Sequence, residues 1–424
     1  MTGVQTCALP IFGKKGTNWQ REVLFDMLWN QADVFQVIDQ HPCKLDPIGI
    51  EFSGEYKNIS EQLRHIRPEI REKVNDILRM YMKIGILVPL VSETAMAIVT
   101  AYNRANGKVR VCINAPPLNV QVKILPSQVL LHEEIHMFVS GKEWIVKYDG
   151  TSGYLQVGVK REARKFFAIT TPLGHFKYTR MPFGFVNADA HYQRIMEGHI
   201  AEFRDFMSQF IDDTFQANED FESHIVVADA YMAKCVAIHY MLNLEKCEFL
   251  CEEIDCLGFL SGPHGQRINP NRLEAIKNLA VPASSRIVRR ELGMCQFLAR
   301  YVPELPRMAD PLWATLEGGK KFEMTEEAKA AHEAIKALLM KGHVLVQRKP
   351  GGQLYGRADG SKIALAAVLY QDGPDVKSTG VLGFFSRKLR PGERWYTAGM
   401  LEARSLARLG ECAMPFCTGN MILI

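Results

Sequence analysis

The sequence predicts an α+β protein built from several domains. Its 424 residues are enough for about two to four domains. A hydrophobic content of 47% is enough to form buried cores. Short apolar runs of strand length occur together with stretches of helical spacing, which is the pattern of a mixed fold. Prolines become frequent after Gly265, where a series of short helices is expected.

The first clear periodicity lies between residues 68 and 113. Pro68 precedes an amphipathic stretch, which predicts a helix with proline near its first turn. Residues 97–113 predict a hairpin with Asn106-Gly107 as its turn. The apolar side chains that share one face of the predicted helix are Ile70, Val74, Ile77, Leu78 and Tyr81.

Strand and helix patterns then alternate along the chain. Alternating polarity predicts strands, and longer stretches predict helices, with an aspartate-containing hairpin between the two helices. Near residue 325, Thr325 is the expected N-cap of a further helix, and Glu326 and Glu327 suit the positive end of its dipole. The predicted strands are 144–149, 154–159 and 165–170, and the predicted helices are 188–208 and 221–242.

Three aspartates interrupt apolar runs of strand length. Asp212 and Asp213 lie together in segment 210–215, and Asp149 ends segment 144–149. Acidic residues are poor strand formers, and carboxylates avoid apolar surroundings unless their charge is compensated. Two Mg²⁺ ions can compensate it and bind the attacking and leaving oxygens of a phosphoryl transfer. The carboxylates indicate a two-metal nucleotidyl-transfer site, although the doublet taken alone is more typical of a hairpin turn.

Short motifs surround these aspartates in a fixed order. Asp149 opens a segment similar to D-x-x-S-G-Y-x-Q-I, and segment 170–188 is close to T-x-x-G-x-Y-x-x-x-x-M-P-F-G-L-x-N-A. Segment 210–213 fits a Y/F-x-D-D box, and the later segments 246–249 and 257–259 are similar to K-C-x-F and L-G-H. Through these motifs the chain resembles the reverse transcriptase of gypsy-type LTR retrotransposons over most of its length.

This resemblance implies a right-hand polymerase of fold class α+β, with fingers, palm and thumb. A partial ribonuclease H-like α/β domain is expected behind it. The N-terminal residues 1–11 resemble a translated sequencing-adapter read and are expected to be non-native. The expected divisions are an upstream linker at 12–46, fingers and palm at 47–262, thumb and connection at 263–350, and the partial ribonuclease H-like domain at 351–424.

The resemblance also implies an activity. It is RNA-directed DNA polymerisation, in which Asp149, Asp212 and Asp213 hold Mg²⁺, or alternatively Mn²⁺. The implied partners are an RNA or DNA template with its primer, and dNTPs. Binding to the template is expected to depend on backbone phosphates and to be largely independent of sequence.

Four residues of the implied nucleotide pocket each have an ordinary structural alternative. Tyr154 would be the steric gate against a ribose 2′-hydroxyl, or a core tyrosine on a strand face. Arg110 would bind the triphosphate bidentately, with Arg104 in the place of a family lysine; both could instead be solvated hairpin charges. Phe183 would contact the nucleotide and template, or it could be an ordinary packing residue.

The chain departs from the family pattern at three places. Segment 113–119 stands where the family has V-D-Y-R-A-L-N, so an acidic and a basic residue of the nucleotide pocket are absent. Asp189 stands where a proline is usual, and Phe210 replaces the commoner tyrosine. A catalytically decayed, nucleic-acid-binding relic is therefore the alternative function.

A second carboxylate site is implied near the C-terminus. Asp359 lies in a segment similar to T-D-A-S, and Glu402 lies in one similar to Y-S-x-x-E-x-E. Both would be metal ligands of a ribonuclease H site. The next family aspartate has no counterpart before Ile424, and a site with only two of its carboxylates should bind metal poorly. Ribonuclease H activity is therefore expected to be lost.

Two segments carry residues that could bind zinc. Segment 132–136 matches H-E-x-x-H, which on a helix would place His132 and His136 on one face with Glu133 as general base. No obvious third ligand follows, so a zinc metallopeptidase is the least favoured function. The spacing of the second set fits no known zinc site, and its cysteines are expected in the core: Cys247, Cys251 and Cys256, with His264 nearby.

Composition restricts the function only weakly. The net charge of +4 is mild, although it is compatible with local basic grooves. No apolar run is long enough to span a membrane. Ten cysteines without regular spacing indicate reduced thiols in an intracellular protein. The resemblance places the protein in the cytoplasm, in a virus-like particle, or in the nucleus, and leaves its oligomeric state open.

Overall fold

The computed structural model describes most of the chain. The described residues are 11–38, 40–103, 107–126, 132–302, 304–316, 322–341, 345–346, 352–362, 364–371, 380–413 and 421–423. The helices are α1 (Asn18–Asn30), α2 (Pro68–Lys83), α3 (Pro116–Asn119), α4 (His132–Val139), α5 (Ala188–His199), α6 (Phe221–Ala237), α7 (Pro270–Lys277), α8 (Ser285–Leu298), α9 (Leu305–Met308), α10 (Asp310–Ala314), α11 (Glu326–Leu339) and α12 (Ala398–Ala413).

The strands belong to four sheets. They are β1 (Ile11–Phe12), β2 (Leu87–Pro89), β3 (Met96–Tyr102), β4 (Val109–Ile113), β5 (Trp144–Asp149), β6 (Ala168–Thr171), β7 (Gly174–Tyr178), β8 (Met207–Phe210), β9 (Asp213–Asn218), β10 (Glu248–Phe249), β11 (Ile254–Cys256), β12 (Phe259–Gly262), β13 (Gly265–Ile268), β14 (Leu354–Gly360), β15 (Ala364–Gln371), β16 (Gly380–Lys388) and β17 (Met421–Leu423). The chain divides into two compact units, one formed by residues 1–131 and 143–252, the other by 132–142 and 253–424.

The first unit contains two five-stranded sheets. One has the order β1-β10-β5-β9-β8, in which β5, β9 and β8 are antiparallel neighbours. Helices α5 and α6 pack on this sheet, and the ring centroids of Tyr148 on β5 and Tyr231 on α6 are 4.9 Å apart. The core of the unit therefore lies between the sheet and these helices. Within the sheet, the end of β5 lies beside the start of β9.

The other sheet of this unit has the order β2-β7-β6-β3-β4. Helix α2 packs on β2 and β4 through a buried stripe, as its spacing predicted. Strands β3 and β4 form the predicted hairpin, in which Tyr102 lies opposite Val109, while its turn at 104–106 lies outside the described residues. The buried members of the stripe are Ile70, Val74, Leu78 and Tyr81.

The second unit contains a helical part and two sheets. A three-stranded sheet, β11-β12-β13, contacts α4, and α7 to α11 contribute to one core. The other sheet has the order β16-β15-β14-β17, and α12 packs against it. Thr325 caps α11 as predicted, because its side chain accepts a hydrogen bond from the Ala328 amide at 3.2 Å.

Several predicted elements were wrong in type or length. Residues 154–159 are not a strand, since a 3₁₀ turn spans Gly153–Gln156. In the segment predicted as a strand at 165–170, a 3₁₀ turn at Arg164–Phe167 precedes β6. The helix predicted to end at 208 stops at His199, and β8 begins at Met207; the helix predicted to end at 242 stops at Ala237, before the left-handed residue His239.

The segment expected to be an upstream linker at 12–46 instead belongs to the first unit. It contains α1, whose Leu24, Met27 and Leu28 are buried in the core of this unit. Strand β1 pairs with β10 in the first sheet. Among the described residues, no helix is both long and apolar enough to cross a membrane.

Candidate functional site

The three aspartates predicted as metal ligands lie at one end of the first sheet of the first unit. Asp149 is the last residue of β5 and lies directly opposite Asp213, the first residue of β9. Directly opposed residues in antiparallel strands have Cβ atoms about 4.5–5.5 Å apart. Asp212 lies in the turn between β8 and β9. The doublet is thus part of a hairpin, and the same hairpin brings Asp213 to Asp149.

Two buried glutamines hold this turn in an unusual conformation. Ile211 has a φ of 51°, a left-handed conformation that is unfavourable for a β-branched residue. Its amide donates to Oε1 of Gln193 at 2.7 Å, and its carbonyl accepts from Nε2 of Gln209 at 2.6 Å. Neither glutamine is predicted from the sequence, because Gln193 lies in helix α5 and Gln209 in strand β8, and only the fold brings both to this turn.

Two lysines compensate the charge of the opposed carboxylates. Nζ of Lys246 lies 2.9 Å from both carboxylate oxygens of Asp149, and Nζ of Lys147 lies 3.0 Å from Oδ2 of Asp213. Burial raises the pKa of Asp213, against the lowering effect of Lys147, and the neighbouring Asp212 and Asp149 raise it further. The site therefore concentrates negative charge in a half-buried place, where a cation is needed.

The donor chemistry of this site fits a hard divalent cation. As the side chains are placed, no group of three His, Cys, Asp or Glu residues among those described converges on one point. Asp149 and Asp213 are each paired with a lysine. Carboxylate oxygens are nevertheless the ligands that Mg²⁺ and Mn²⁺ prefer, and the three lie at one strand end and the adjoining turn. Asp149, Asp212 and Asp213 are therefore the residues that could hold such an ion.

Three of the predicted pocket residues contact one another. The guanidinium of Arg110 on β4 lies 5.9 Å from the ring centroid of Phe183. The ring of Phe183 is 5.6 Å from that of Tyr154, centroid to centroid. Tyr154 donates its hydroxyl hydrogen to Oδ1 of Asp189 at 2.5 Å. Arg104, the fourth predicted pocket residue, lies outside the described residues.

The backbone around Tyr154 explains why a strand cannot form there. Ser152 has a left-handed φ of 48°. A Cβ on Gly153 would lie 2.3 Å from the hydroxyl oxygen of buried Tyr192, so only glycine fits. The side chain of Gln156 donates to the carbonyls of Thr151 and Met241 at 2.9 and 2.8 Å. This segment is a turn fixed by side chains, although its alternating polarity is that of a strand.

The departing segment 113–119 has a structural role at this site. Nδ2 of Asn114 donates to Oε1 of Glu61 at 2.6 Å. Asn119 donates from Nδ2 to the carbonyl of Gly184 at 3.1 Å, and its Oδ1 accepts from the amide of Val186 at 3.0 Å. The segment therefore fixes the loop that follows Phe183, even without the acidic and basic residues of the family pattern.

The zinc-binding alternatives find no support in the described residues. His136 is buried, with Nδ1 3.1 Å from Oγ of Ser261 and its ring edge-on to Phe259. It is thus a core histidine of the second unit; the side chains of His132 and Glu133 lie outside the described residues. The cysteines of segment 247–256 are buried core residues, as predicted: Cys247, Cys251 and Cys256.

Comparison with protein families finds two domain matches in this chain. A family model described as reverse transcriptase (RNA-dependent DNA polymerase) matches residues 106–260, which include the opposed aspartates and Tyr154. The chain carries a reverse transcriptase domain. A second model, described as an RNase H-like domain found in reverse transcriptase, matches residues 324–421. The predicted resemblance to a retrotransposon reverse transcriptase followed by an RNase H-like domain is confirmed.

Relatives of this reverse transcriptase domain include retrotransposon polyproteins. The retrovirus-related Pol polyprotein from transposon 297 of Drosophila melanogaster is 27% identical over 66% of this chain and 26% of the relative. The transposon Tf2-3 polyprotein of Schizosaccharomyces pombe is 23% identical over 85% of this chain and 27% of the relative. The chain spans about a quarter of the length of these curated relatives.

Solved structures confirm the predicted fold. A foamy viral protease-reverse transcriptase in complex with double-stranded DNA matches with a TM-score of 0.87 and 18% identity, covering 96% of this chain and 72% of that chain. The same enzyme in complex with an RNA/DNA hybrid matches with a TM-score of 0.84 and 18% identity, covering 96% of this chain and 55% of that one. The fold is that of a right-hand polymerase followed by an RNase H-like domain.

The two residues predicted as metal ligands in the RNase H-like domain lie on elements that contact each other. Asp359 is on β14 and Glu402 is on α12, and both are exposed. Oγ of Ser405 donates to the carbonyl of Asp359 at 2.9 Å. A Cβ on Gly360 would lie 2.6 Å from the Leu401 main chain, so β14 and α12 are in direct contact where the two carboxylates lie.

Proposed function

We propose that this chain is an RNA-directed DNA polymerase that extends a primer on an RNA or DNA template. The observation that carries the proposal is the direct opposition of Asp149 and Asp213, with Asp212 in the adjoining turn, inside a reverse transcriptase domain. Three carboxylates at one sheet end are the protein part of a two-metal nucleotidyl transfer.

Reverse transcriptases use divalent metal ions, and Mg²⁺, or Mn²⁺ in its place, is the ion proposed here. When bound, such ions lower the pKa of an attacking hydroxyl and neutralise phosphate charge. Asp149, Asp212 and Asp213 would hold them. Lys246 and Lys147 form ion pairs with Asp149 and Asp213.

The proposed dNTP site is formed by Arg110, Phe183 and Tyr154. Arg110 would bind the triphosphate, since its guanidinium can face phosphate oxygens bidentately. Its contact with Phe183 orients the guanidinium. Phe183 would contact the incoming base and template, and Tyr154 would exclude a ribose 2′-hydroxyl.

The proposed macromolecular partner is a nucleic-acid duplex. The foamy viral relatives hold double-stranded DNA in one structure and an RNA/DNA hybrid in another, and the proposed primer–template complexes of this chain are the same two types. An intracellular location, in the cytoplasm or nucleus, is proposed, because the eight cysteines among the described residues are free thiols.

Primer extension tests the proposal. The full chain, with an oligo(dT) primer on a poly(rA) template, dTTP and Mg²⁺ or Mn²⁺, should extend the primer. Asp212→Asn should abolish extension. Asp205→Asn, which neutralises another exposed aspartate of the same unit, should not.

Two other outcomes contradict the polymerase. Tight, salt-sensitive binding of the hybrid without extension identifies the nucleic-acid-binding relic that the departures at 113–119 left open. Neither binding nor extension, together with stoichiometric zinc, identifies the zinc-binding alternative at segment 132–136.

A further inference from the structure

The hydroxyl of Tyr154 is held by a residue that departs from the family pattern. Its hydrogen bond to Oδ1 of Asp189 is 2.5 Å long. An O–H···O⁻ bond of this length is typical of a charge-assisted hydrogen bond, which is about twice as strong as a neutral one. The proline usual at position 189 has no side-chain acceptor, so this contact is a property of this chain.

The ring of Tyr154 is also held on its other sides. Tyr192 packs edge-on against it, with centroids 5.0 Å apart and an interplanar angle of 70°. Phe183 lies on another side, at 5.6 Å. Glycine at position 153 allows Tyr192 to approach this closely. The two aromatic rings restrict the plane of Tyr154, and Asp189 restricts its hydroxyl end.

Asp189 lies at the positive end of a helix dipole. It lies in the first turn of α5, where the helix dipole stabilises negative charge. The N-cap residue Asn187 does not compete for this turn, because its side chain binds the Leu125 amide and the Lys123 carbonyl at 3.1 and 2.8 Å. Burial and the nearby Asp189 raise the pKa of Tyr154 well above its usual range, so its hydroxyl keeps the donated proton.

We infer that Asp189 is a positioning residue for sugar discrimination, which acts by fixing the ring of Tyr154 against the 2′ position of an incoming nucleotide. The inference rests on the proposed polymerase function and on the proposed gate. A ring anchored at its hydroxyl cannot yield to a ribose 2′-hydroxyl. A ring freed at that end can turn aside, and a ribonucleotide then enters.

The test compares incorporation of a dNTP and of its ribonucleotide on the same RNA template. Asp189→Ala should lower the ratio of the two kcat/KM values about tenfold, mainly through a lower KM for the ribonucleotide. Asp189→Asn keeps a carbonyl acceptor and should restore part of the ratio. Glu222→Ala removes an exposed carboxylate from the first turn of α6 and should leave the ratio unchanged.

A double-mutant cycle separates positioning from a general structural effect. Tyr154→Phe removes the same hydrogen bond and should lower the ratio to a similar extent. Adding Asp189→Ala to Tyr154→Phe should then change nothing more. An unchanged ratio in Asp189→Ala, or fully additive effects of the two substitutions on the ratio, overturns the inference. If the unmutated chain extends the primer, the proposed polymerase function still holds in that case.

A binding measurement tests the inference even if the chain binds the template–primer but does not extend the primer. On a dideoxy-terminated primer, the next correct dNTP should stabilise the complex with template–primer more than its ribonucleotide does. Asp189→Ala should reduce that preference about tenfold. No nucleotide-stabilised complex with the unmutated chain overturns the inference and the proposed function together.

Discussion

In the reverse transcriptase domain Asp149 and Asp213 each face a lysine, whereas in the RNase H-like domain Asp359 and Glu402 are exposed to solvent. The exposed fraction of the side chain is only 17% for Asp213 and 15% for Lys147, so neither charge is well hydrated. Buried charges must be compensated by a partner or an ion. Charge is therefore compensated differently in the two regions: ion pairs with lysines stabilise Asp149 and Asp213, whereas solvent hydrates Asp359 and Glu402.

The largest effect that tests this comparison is on catalysis. Asp149→Asn keeps the shape of the side chain and removes its charge, so primer extension should fall by about 10³-fold or more. Glu402→Gln makes the same change in the RNase H-like domain and should leave extension within about twofold. Steady-state incorporation of dTTP measures both. Equal losses in the two variants would show that the two carboxylate sites do not act separately.

The second largest expected effect is a loss of stability at Gly153, the residue that precedes Tyr154. Gly153→Ala should destabilise the chain by about 3 kcal/mol, since its Cβ would lie 2.3 Å from the hydroxyl oxygen of Tyr192. Tyr192 has no room to retreat, because its hydroxyl is 2.5 Å from that of Tyr240. Gly198→Ala in α5, where a Cβ meets nothing within 4 Å, should instead stabilise by about 0.5–1 kcal/mol.

Urea denaturation of both variants measures this difference. The matching position in the RNase H-like domain is Gly360, where a Cβ would lie 2.6 Å from the Leu401 main chain. Gly360→Ala should be destabilising to a similar degree and should leave dTTP incorporation intact. A Gly153→Ala protein as stable as the Gly198→Ala protein contradicts the described packing.

The two regions should also respond to pH with opposite sign. The pKa of Asp213 is raised in the folded state, so its contribution to stability is full below its ordinary value of 3.8 and is lost as pH rises through the folded pKa. Lys147 limits that loss. Lys147→Met should therefore lower the free energy of unfolding by about 2 kcal/mol at pH 7 and by less at pH 4. A cost that is independent of pH would contradict the assigned ion pair.

Glu393 in the RNase H-like domain has the reverse behaviour. Hydrogen bonds from Arg387 lower its pKa to about 2 from the ordinary 4.5, with help from Arg404. Its contribution is thus full above pH 4.5 and is lost as pH falls from there through about 2. Glu393→Gln should lower the free energy of unfolding by about 1 kcal/mol at pH 7 and change it little near pH 2. Denaturation curves at both values measure it, and a larger cost in acid is the contradictory result.

The local features of the candidate site could be predicted from the sequence, because their signals are local. Proline before an apolar stripe predicted α2, and carboxylates inside apolar runs located Asp149, Asp212 and Asp213. The partners of these carboxylates could not be predicted. Lys246 reaches Asp149 from 97 positions away, and Gln193 holds a turn 18 positions away. Only the folded sheet and α5 bring such residues together.

The segment around Tyr154 shows a different limit. Its alternating polarity predicts a strand, and the structure has a 3₁₀ turn there. The deciding contacts are made by Tyr192 and Met241, which lie on distant parts of the chain. Tertiary packing overrides the local pattern at such a place. The departure at Asp189 was visible in the sequence, but its bond to Tyr154 was not.

The most direct test of the account is a Mn²⁺ titration of the complex with template, dideoxy-terminated primer and dNTP, followed by electron paramagnetic resonance. The unmutated chain and Asp205→Asn should bind Mn²⁺. The affinity for Mn²⁺ should be at least about tenfold weaker in Asp149→Asn and in Asp213→Asn. Equal affinity in all four proteins would contradict the claim that these opposed aspartates hold the catalytic ions.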